Sequence, residues 1–243
     1  MKPFSIRPIP LFEIVLDKST MTYRMNIGQP MTMPGYVWFI EGPKEKILVD
    51  AGGDMALFHA RGIPARELQT IVQGLAKLGL KPEDIDILIP THLHHDHIAH
   101  ARDFPRARVV VQRKELEFAR NPHPMFSRVY IPEHIEGLKF DVIEGDEQVV
   151  EGVDILFTPG HAPGGQSVSV QTAKGKAIIA GQCTIMDNYN PPADMIPMLP
   201  VIAPTIHIDV IQAYESALRV KQMADIIVPL HAPEYQHKKR IPD

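Results

Sequence analysis

Residues 91–100 read Thr91-His92-Leu93-His94-His95-Asp96-His97-Ile98-Ala99-His100, which puts five histidines into the nine positions 92–100 of a chain that has 12 in 243. Even scatter would place about 0.4 there, so composition alone does not produce the cluster. It follows the apolar run Ile85–Ile89, and Pro90 between them ends a strand ladder and turns the chain out at a strand's carboxyl end, a usual place for a site. Imidazole and carboxylate are the donors that zinc and its neighbours prefer. In an extended or turning segment His92 and His94 point to one side, while Asp96 and His97 lie a turn further on and reach a second point. One loop can thus serve two adjacent ions. A solvated, histidine-rich loop is the competing reading.

The rest of the chain supplies a scaffold. Runs rich in Val, Ile and Leu and bounded by Gly, Pro or Asp recur at Tyr36–Ile40, Lys46–Val49, Ile85–Ile89, Arg108–Gln112, Phe140–Ile143, Val153–Phe157, Ser167–Gln171, Ala177–Ala180 and Ile226–Val228, and each predicts a strand. Helical spacing predicts one helix between Ala65 and Leu78, stopped by Gly79, and another from Asp209, as N-cap, to Met223. Shorter helices are expected after His97 and Arg113. The pair Tyr36–Ile40 and Lys46–Val49, joined by five residues, reads as a hairpin and excludes a purely parallel sheet, so a mixed α/β or layered αββα architecture is expected. Asn121–Pro132 and Pro191–Pro204 carry neither periodicity and read as surface loops. No repeat or compositional break divides the chain, which predicts a single domain over 1–243.

Composition narrows the class. With 44% apolar and 22% charged residues the chain has material for a packed core, and 29 acidic against 25 basic side chains give a net charge of −4, which is no nucleic-acid footprint. No stretch nears the roughly 20 apolar residues of a membrane span. The first eighteen residues are interrupted by Pro3, Arg7, Pro8, Pro10 and Glu13 and lack the apolar stretch of a signal peptide, so a cytoplasmic protein is expected. The one cysteine, Cys183, forms no intrachain disulfide, in keeping with that compartment.

The run His92-Leu93-His94-His95-Asp96-His97 resembles the HxHxDH signature of the metallo-β-lactamase superfamily. Val49-Asp50-Ala51-Gly52 resembles its early Asp-x-Gly, Thr158-Pro159-Gly160-His161 its Pro-Gly-His turn, and Pro229-Leu230-His231 its last strand. The resemblance implies a four-layer αββα fold with mixed sheets. It implies a first metal held by His92, His94 and His161 and a second held by Asp96, His97 and His231, with Asp50 orienting a ligand imidazole. Where the family's hydrolases carry a bridging aspartate this chain has Gln182, a poor ligand. Gly181-Gln182-Cys183 resembles instead the Gly-Gly-Cys of di-zinc β-lactamases, which implies a Cys183 thiolate in the second site. Two Zn²⁺ ions, with one ion or Fe/Mn as alternatives, are the expected cofactor.

Such a pair would lower the pKa of a bridging water and turn it into a nucleophile for a carbonyl, with Asp96 orienting it and relaying its proton. The extended N-terminal lead into Tyr36-Val37-Trp38-Phe39, the helix before a last strand that ends in histidine, and the chain length are most similar to the N-acyl homoserine lactonase branch. Those lactonases bind the substrate carbonyl with a tyrosine; Ile185 stands at that position here and Tyr189 is the nearest candidate. The expected substrate is a small lactone or other carboxylic ester, with no nucleic-acid or membrane partner. The Met21, Met25, Met31 and Met33 group is read as adaptable core filling, with a lipophilic substrate mouth or a homodimer contact as alternatives. A glyoxalase II-like thioesterase, a β-lactamase-like amide hydrolase, a mononuclear iron dioxygenase and a non-enzymatic metal-binding module on the same fold are the other readings.

Overall fold

In the computed structural model, which describes residues 3–243, twelve strands form two mixed sheets. The larger sheet has seven strands in the order β4 (Ala65–Glu67), β1 (Ser5–Asp17), β2 (Pro30–Glu41), β3 (Ile47–Val49), β5 (Ile87–Ile89), β6 (Arg108–Gln112), β7 (Phe140–Ile143). The smaller has five, in the order β12 (Ile226–Pro229), β11 (Gly175–Ala180), β10 (Gln166–Thr172), β9 (Val153–Phe157), β8 (Glu147–Val150). Strands β4, β1, β2 and β3 pair antiparallel in that order, whereas β3, β5, β6 and β7 are mutually parallel.

The layering follows from the two-residue period of strand side chains. Along β2, Tyr36, Trp38 and Ile40 join Ile47, Val49, Ile87 and Ile89 in a core shared with Val153, Ile155, Val168, Val170 and Ile179 of the other sheet. The alternate residues Val37 and Phe39, with Leu48 and Leu88, meet Phe58 of α1 (Met55–Ala60), Leu75 of α2 (Ile71–Ala76), Ile98 of α3 (His95–Ile98) and Leu116 of α4 (Arg113–Arg120). On the far side Ile178 and Ala180 of β11 pack against Ala217 and Val220 of α7 (Val210–Met223). Two further helices, α5 (Pro132–Ile135) and α6 (Met186–Tyr189), each form a single turn. Helices, sheet, sheet and helix thus stack as the expected four layers.

Every strand run read from the sequence contains or lies in a strand, although Lys46, Ile85 and Asp86 precede β3 and β5, and the Tyr36–Ile40 and Lys46–Val49 runs pair antiparallel. Two assignments change. The helix expected over Ala65–Leu78 is a short strand, β4, followed by α2, because Thr70 caps α2 in a capping box with Gln73 and starts the helix late. The N-terminal segment is the thirteen-residue strand β1 despite Pro8 and Pro10. Ile6 directs its N–H away from β2, to Ile241, and residues 8 and 10 share that parity; β4 pairs only with Phe12–Ile14, so neither proline removes a ladder bond. Among the described residues no helix is long and apolar enough to cross a membrane.

Candidate metal centre

The histidine loop leaves the carboxyl end of β5, and its neighbours at the same edge are the loop after β3, the turn between β9 and β10, and the ends of β11 and β12. Gln166 at the start of β10 joins the two sheets beneath the loop, its Nε2 donating to Pro90 O (2.8 Å) and Val110 O (3.0 Å) while its N–H donates to Thr91 O (2.9 Å).

Ring nitrogens of His92, His94 and His161 lie within 4.8 Å of one another, all buried, and the ligand atoms of His92, Asp96 and His97 form a second such group. Ring centroids of His92 stand 4.4 Å from His94, 4.1 Å from His97 and 4.6 Å from His161. His231 lies outside both groups but next to them, its ring 5.5 Å from His97 and its Nδ1 donating to Pro34 O on β2 at 3.1 Å. Five of the expected ligands from the loop and the Pro-Gly-His turn therefore converge, with the sixth beside them.

Hydrogen bonds on the outer ring atoms fix the tautomers. The fully buried Asp50 accepts Thr91 N (2.6 Å), Thr91 Oγ1 (2.9 Å) and His97 Nδ1 (2.8 Å), which is the orienting role expected of it. Thr91 Oγ1, having given its proton to Asp50, accepts from His92 Nδ1 at 3.1 Å. His161 Nδ1 donates to Ile206 O at 2.6 Å. With both Nδ1 atoms protonated, the lone pairs of His92 Nε2 and His161 Nε2 face each other only 3.1 Å apart. A buried pair of lone pairs is unfavourable unless a cation lies between them, and an all-imidazole triad beside a carboxylate suits zinc, iron or manganese. These residues fit a divalent ion.

Electrostatics prepare the same state. Burial holds His92 and His94 well below the usual imidazole range and lowers His161 and His231 to about 4, so these rings stay neutral and ready to ligate. Burial also opposes a charge on His97, but the flanking carboxylates of Asp96 and Asp50 outweigh it and raise its pKa to about 10. Asp96 is held well below the carboxylate range: burial opposes that, and the neighbouring imidazoles, His97 foremost, override it.

A pH dependence follows for the chelator-treated protein. The depressed His161 and His231 mean that the unfolded chain takes up protons first, from its ordinary 6.5, while the native state resists until about 4. Stability is therefore lost as pH falls through that window. His97 acts oppositely; its contribution is complete below 6.5 and is lost only as pH rises through about 10, so it is constant across the acid window. Melting temperatures at pH 7 and pH 5 should show the lower value at pH 5, and a flat or rising profile would contradict the burial of neutral rings.

Two expected site residues are placed elsewhere. Tyr189 is buried under α7 with Leu156, Ile178, Val201 and Val220, its hydroxyl 3.5 Å from Thr184 Oγ1, so it is a core residue and not a carbonyl ligand. The cause is α6, a single turn closed by Asn188, which accepts Ile185 N and turns Tyr189 inward. Cys183 packs with Met21, Met33 and Ile185, its thiol donating to Met21 Sδ at 3.7 Å. Burial raises this thiol above its ordinary range and the nearby charge of Asp96 raises it further, which keeps the proton on sulfur. Cys183 thus stands in apolar packing and outside both ligand groups. Cys183→Ala should keep the metal content per chain unchanged by elemental analysis; loss of one ion would restore the ligand role. Gln182, which takes the family's bridging position, gives its amide N–H₂ to Ala213 O (3.2 Å) and Pro159 O (3.4 Å), toward α7.

Two residues were not legible beforehand. Glu115, fully buried in the first turn of α4, accepts Leu93 N, Gly164 N and the Tyr130 hydroxyl. Tyr130, in a segment read only as loop, sets its ring edge-on to His94 with centroids 4.7 Å apart.

Two stacked mixed sheets with imidazoles gathered at one edge define the class. Residues 31–216 match the metallo-beta-lactamase superfamily, and the chain belongs to it. Within that superfamily it is 31% identical to an N-acyl homoserine lactonase of a Bacillus species and 30% identical to one from Bacillus cereus, each over 183 residues that make up 70% of this chain and 72% of the relative. Among solved structures it superposes on a quorum-quenching N-acyl homoserine lactone lactonase with a TM-score of 0.80 at 28% identity, covering 98% of this chain and 95% of that one. It also superposes on an N-acyl homoserine lactone hydrolase with the product N-hexanoyl-L-homoserine bound at its catalytic metal centre, with a TM-score of 0.78 at 28% identity over 96% of this chain and 95% of that one.

Proposed function

We propose that this chain is a metal-dependent hydrolase that opens the ring of N-acyl homoserine lactones, with zinc as its metal. The approach of His92 Nε2 to His161 Nε2 at 3.1 Å, inside a group completed by His94, carries the reading. His92, His94 and His161 would hold one ion; Asp96, His97 and His231 would hold a second. Ions bound there supply Lewis-acid polarisation of a carbonyl and a water that ionises near neutral pH. Thr91 holds His92 Nδ1 and leaves its Nε2 free of a proton, Asp50 holds His97 Nδ1 so that its Nε2 faces Asp96, and Asp96, strongly acidic in its surroundings, is a carboxylate able to orient a nucleophile and accept its proton.

The lactonase relatives support lactone hydrolysis over thioester or β-lactam hydrolysis or a dioxygenase reaction. A lined apolar cleft of about 280 Å³, formed by Tyr23, Met25, Leu199, Val210, Ile211 and Tyr214, supports an acyl substituent. Ala203 in its lining stands three residues before Ile206, whose carbonyl accepts from His161 Nδ1. The single, buried, unpaired cysteine supports a reducing, cytoplasmic setting.

The test uses untagged protein. Elemental analysis is expected to find zinc, and N-hexanoyl homoserine lactone is expected to be hydrolysed faster than a thioester or a β-lactam. Chelation should remove this activity and added Zn²⁺ should restore it. Hydrolysis that survives complete metal removal, or a preference for another acyl class, contradicts the proposal.

A further inference from the structure

We propose that Glu115 is a positioning residue for the first histidine triad, its carboxylate tying the loop that carries His92 and His94 to the turn that carries His161. The inference rests on the metal site proposed above. Glu115 Oε1 accepts Leu93 N at 2.9 Å and Tyr130 Oη–H at 3.0 Å, and its Oε2 accepts Gly164 N at 2.9 Å. Leu93 stands between His92 and His94, and Gly164 is three residues beyond His161. One rigid, planar group therefore fixes both ligand-bearing segments against the start of α4.

Tyr130 extends the clamp to a ring. Its hydroxyl is held by Glu115 while its edge-on face meets His94, so the carboxylate also fixes the wall against which His94 turns. Gly164 shows how close the approach is: a Cβ there would lie 2.3 Å from Glu115 N and 2.5 Å from Glu115 Cβ, so a side chain on the turn would push it off the helix.

Volume filling alone does not account for an acid at this place. Burying a carboxylate is costly unless its oxygens are satisfied, and a leucine or methionine fills the same space without that cost. All three donors here belong to segments that carry a ligand imidazole or touch one. In a group this well satisfied, replacing one oxygen by an amide N–H₂ sets donor against donor at Leu93 or Gly164 and pries one segment away.

The probe is Co²⁺ added to metal-free wild type, Glu115→Gln and Tyr130→Phe, read by titration and by the visible absorption of the bound ion, with thermal melts of each metal-free protein. Glu115→Gln is expected to melt cooperatively yet bind the first equivalent at least about tenfold more weakly, the size usual for partners that orient metal ligands, with shifted absorption bands. Tyr130→Phe, which leaves both backbone bonds in place, should shift the bands the same way by less. Wild-type affinity and spectrum in folded Glu115→Gln overturn the proposal, as does an equal weakening of both equivalents. If Glu115→Gln does not fold, a wild-type cobalt spectrum in Tyr130→Phe overturns it and a shifted one supports it. Wild type that binds no cobalt defeats the underlying site instead, a failure seen before any variant is compared.

Discussion

His161→Ala is expected to lower lactone turnover by at least about a thousandfold and to leave the protein folded. The first half follows from where the ring sits. His161 closes the His92, His94 and His161 group from a different part of the chain, so its removal leaves two ligands from one loop and opens the triad. Lewis-acid polarisation of a carbonyl is worth several kcal/mol, and each 1.36 kcal/mol is tenfold in rate, so losing the ion it depends on costs about three powers of ten or more. The second half follows from what holds the turn. Gly160 O accepts Ile208 N (2.8 Å) and Asp209 N (3.0 Å), and Pro159 O accepts Ser216 Oγ (2.7 Å); none of these bonds uses the imidazole. Among the described residues, the only side-chain hydrogen-bond partner lost outside the triad is Ile206 O. Steady-state rates with N-hexanoyl homoserine lactone, alongside elemental analysis and a melt, check both halves. A variant that keeps wild-type metal content and more than a few per cent of the activity would remove His161 from the mechanism.

The contrast between His161 and Glu115 explains how much of the site could be read from the chain. His92, His94, Asp96 and His97 stand together in one short segment at a strand end, where their spacing and their chemistry mark them, and the resemblance of the Pro-Gly-His and Pro-Leu-His segments to family motifs adds His161 and His231. The strands were legible for a similar reason: β-branched residues at period two, bounded by turn formers, have few other uses. Glu115 has no such mark. An acid in the first turn of a helix is ordinary, and its partners are the N–H groups of Leu93 and Gly164, 22 and 49 residues away, which no residue type announces. The β1 strand was hidden because Pro8 and Pro10 read as breakers until the position of the strand edge is known. The α2 helix was drawn too long because Leu68 continues a helical spacing that Thr70 then interrupts as a cap. Cys183 and Tyr189 were misplaced for a common reason. Both stand close in sequence to a position that carries chemistry in relatives, but the direction of a side chain is set by packing, and here Met21 receives one and the face of α7 the other.

Gly160→Ala is expected to be the most destabilising small change near the site. Gly160 has φ = +119°, a conformation that strains any residue with a Cβ, and a Cβ built there lies 2.1 Å from Ala213 N and 2.4 Å from Ala213 Cα. Those atoms are helix backbone, so a rotamer change cannot relieve the contact; either the turn or the start of α7 must move. Backbone strain of about 1–3 kcal/mol and overpacking of about 1–3 kcal/mol add to roughly 4 kcal/mol. For a domain of this size each kcal/mol lowers the melting temperature by about 2–4 °C, so a fall on the order of 10 °C is expected. Movement of the turn would also stretch the bonds that Ile208 N, Asp209 N and Ser216 Oγ make to it and carry His161 away from His92. Metal content should therefore fall with stability, whereas Ser216→Ala, which removes one of those bonds without adding an atom, should lower the melting temperature by only a few degrees and keep the metal. If Gly160→Ala melts within about two degrees of wild type and retains its metal, then α7 is not the buttress of the His161 turn, and the tight seating of that turn has no part in forming the site.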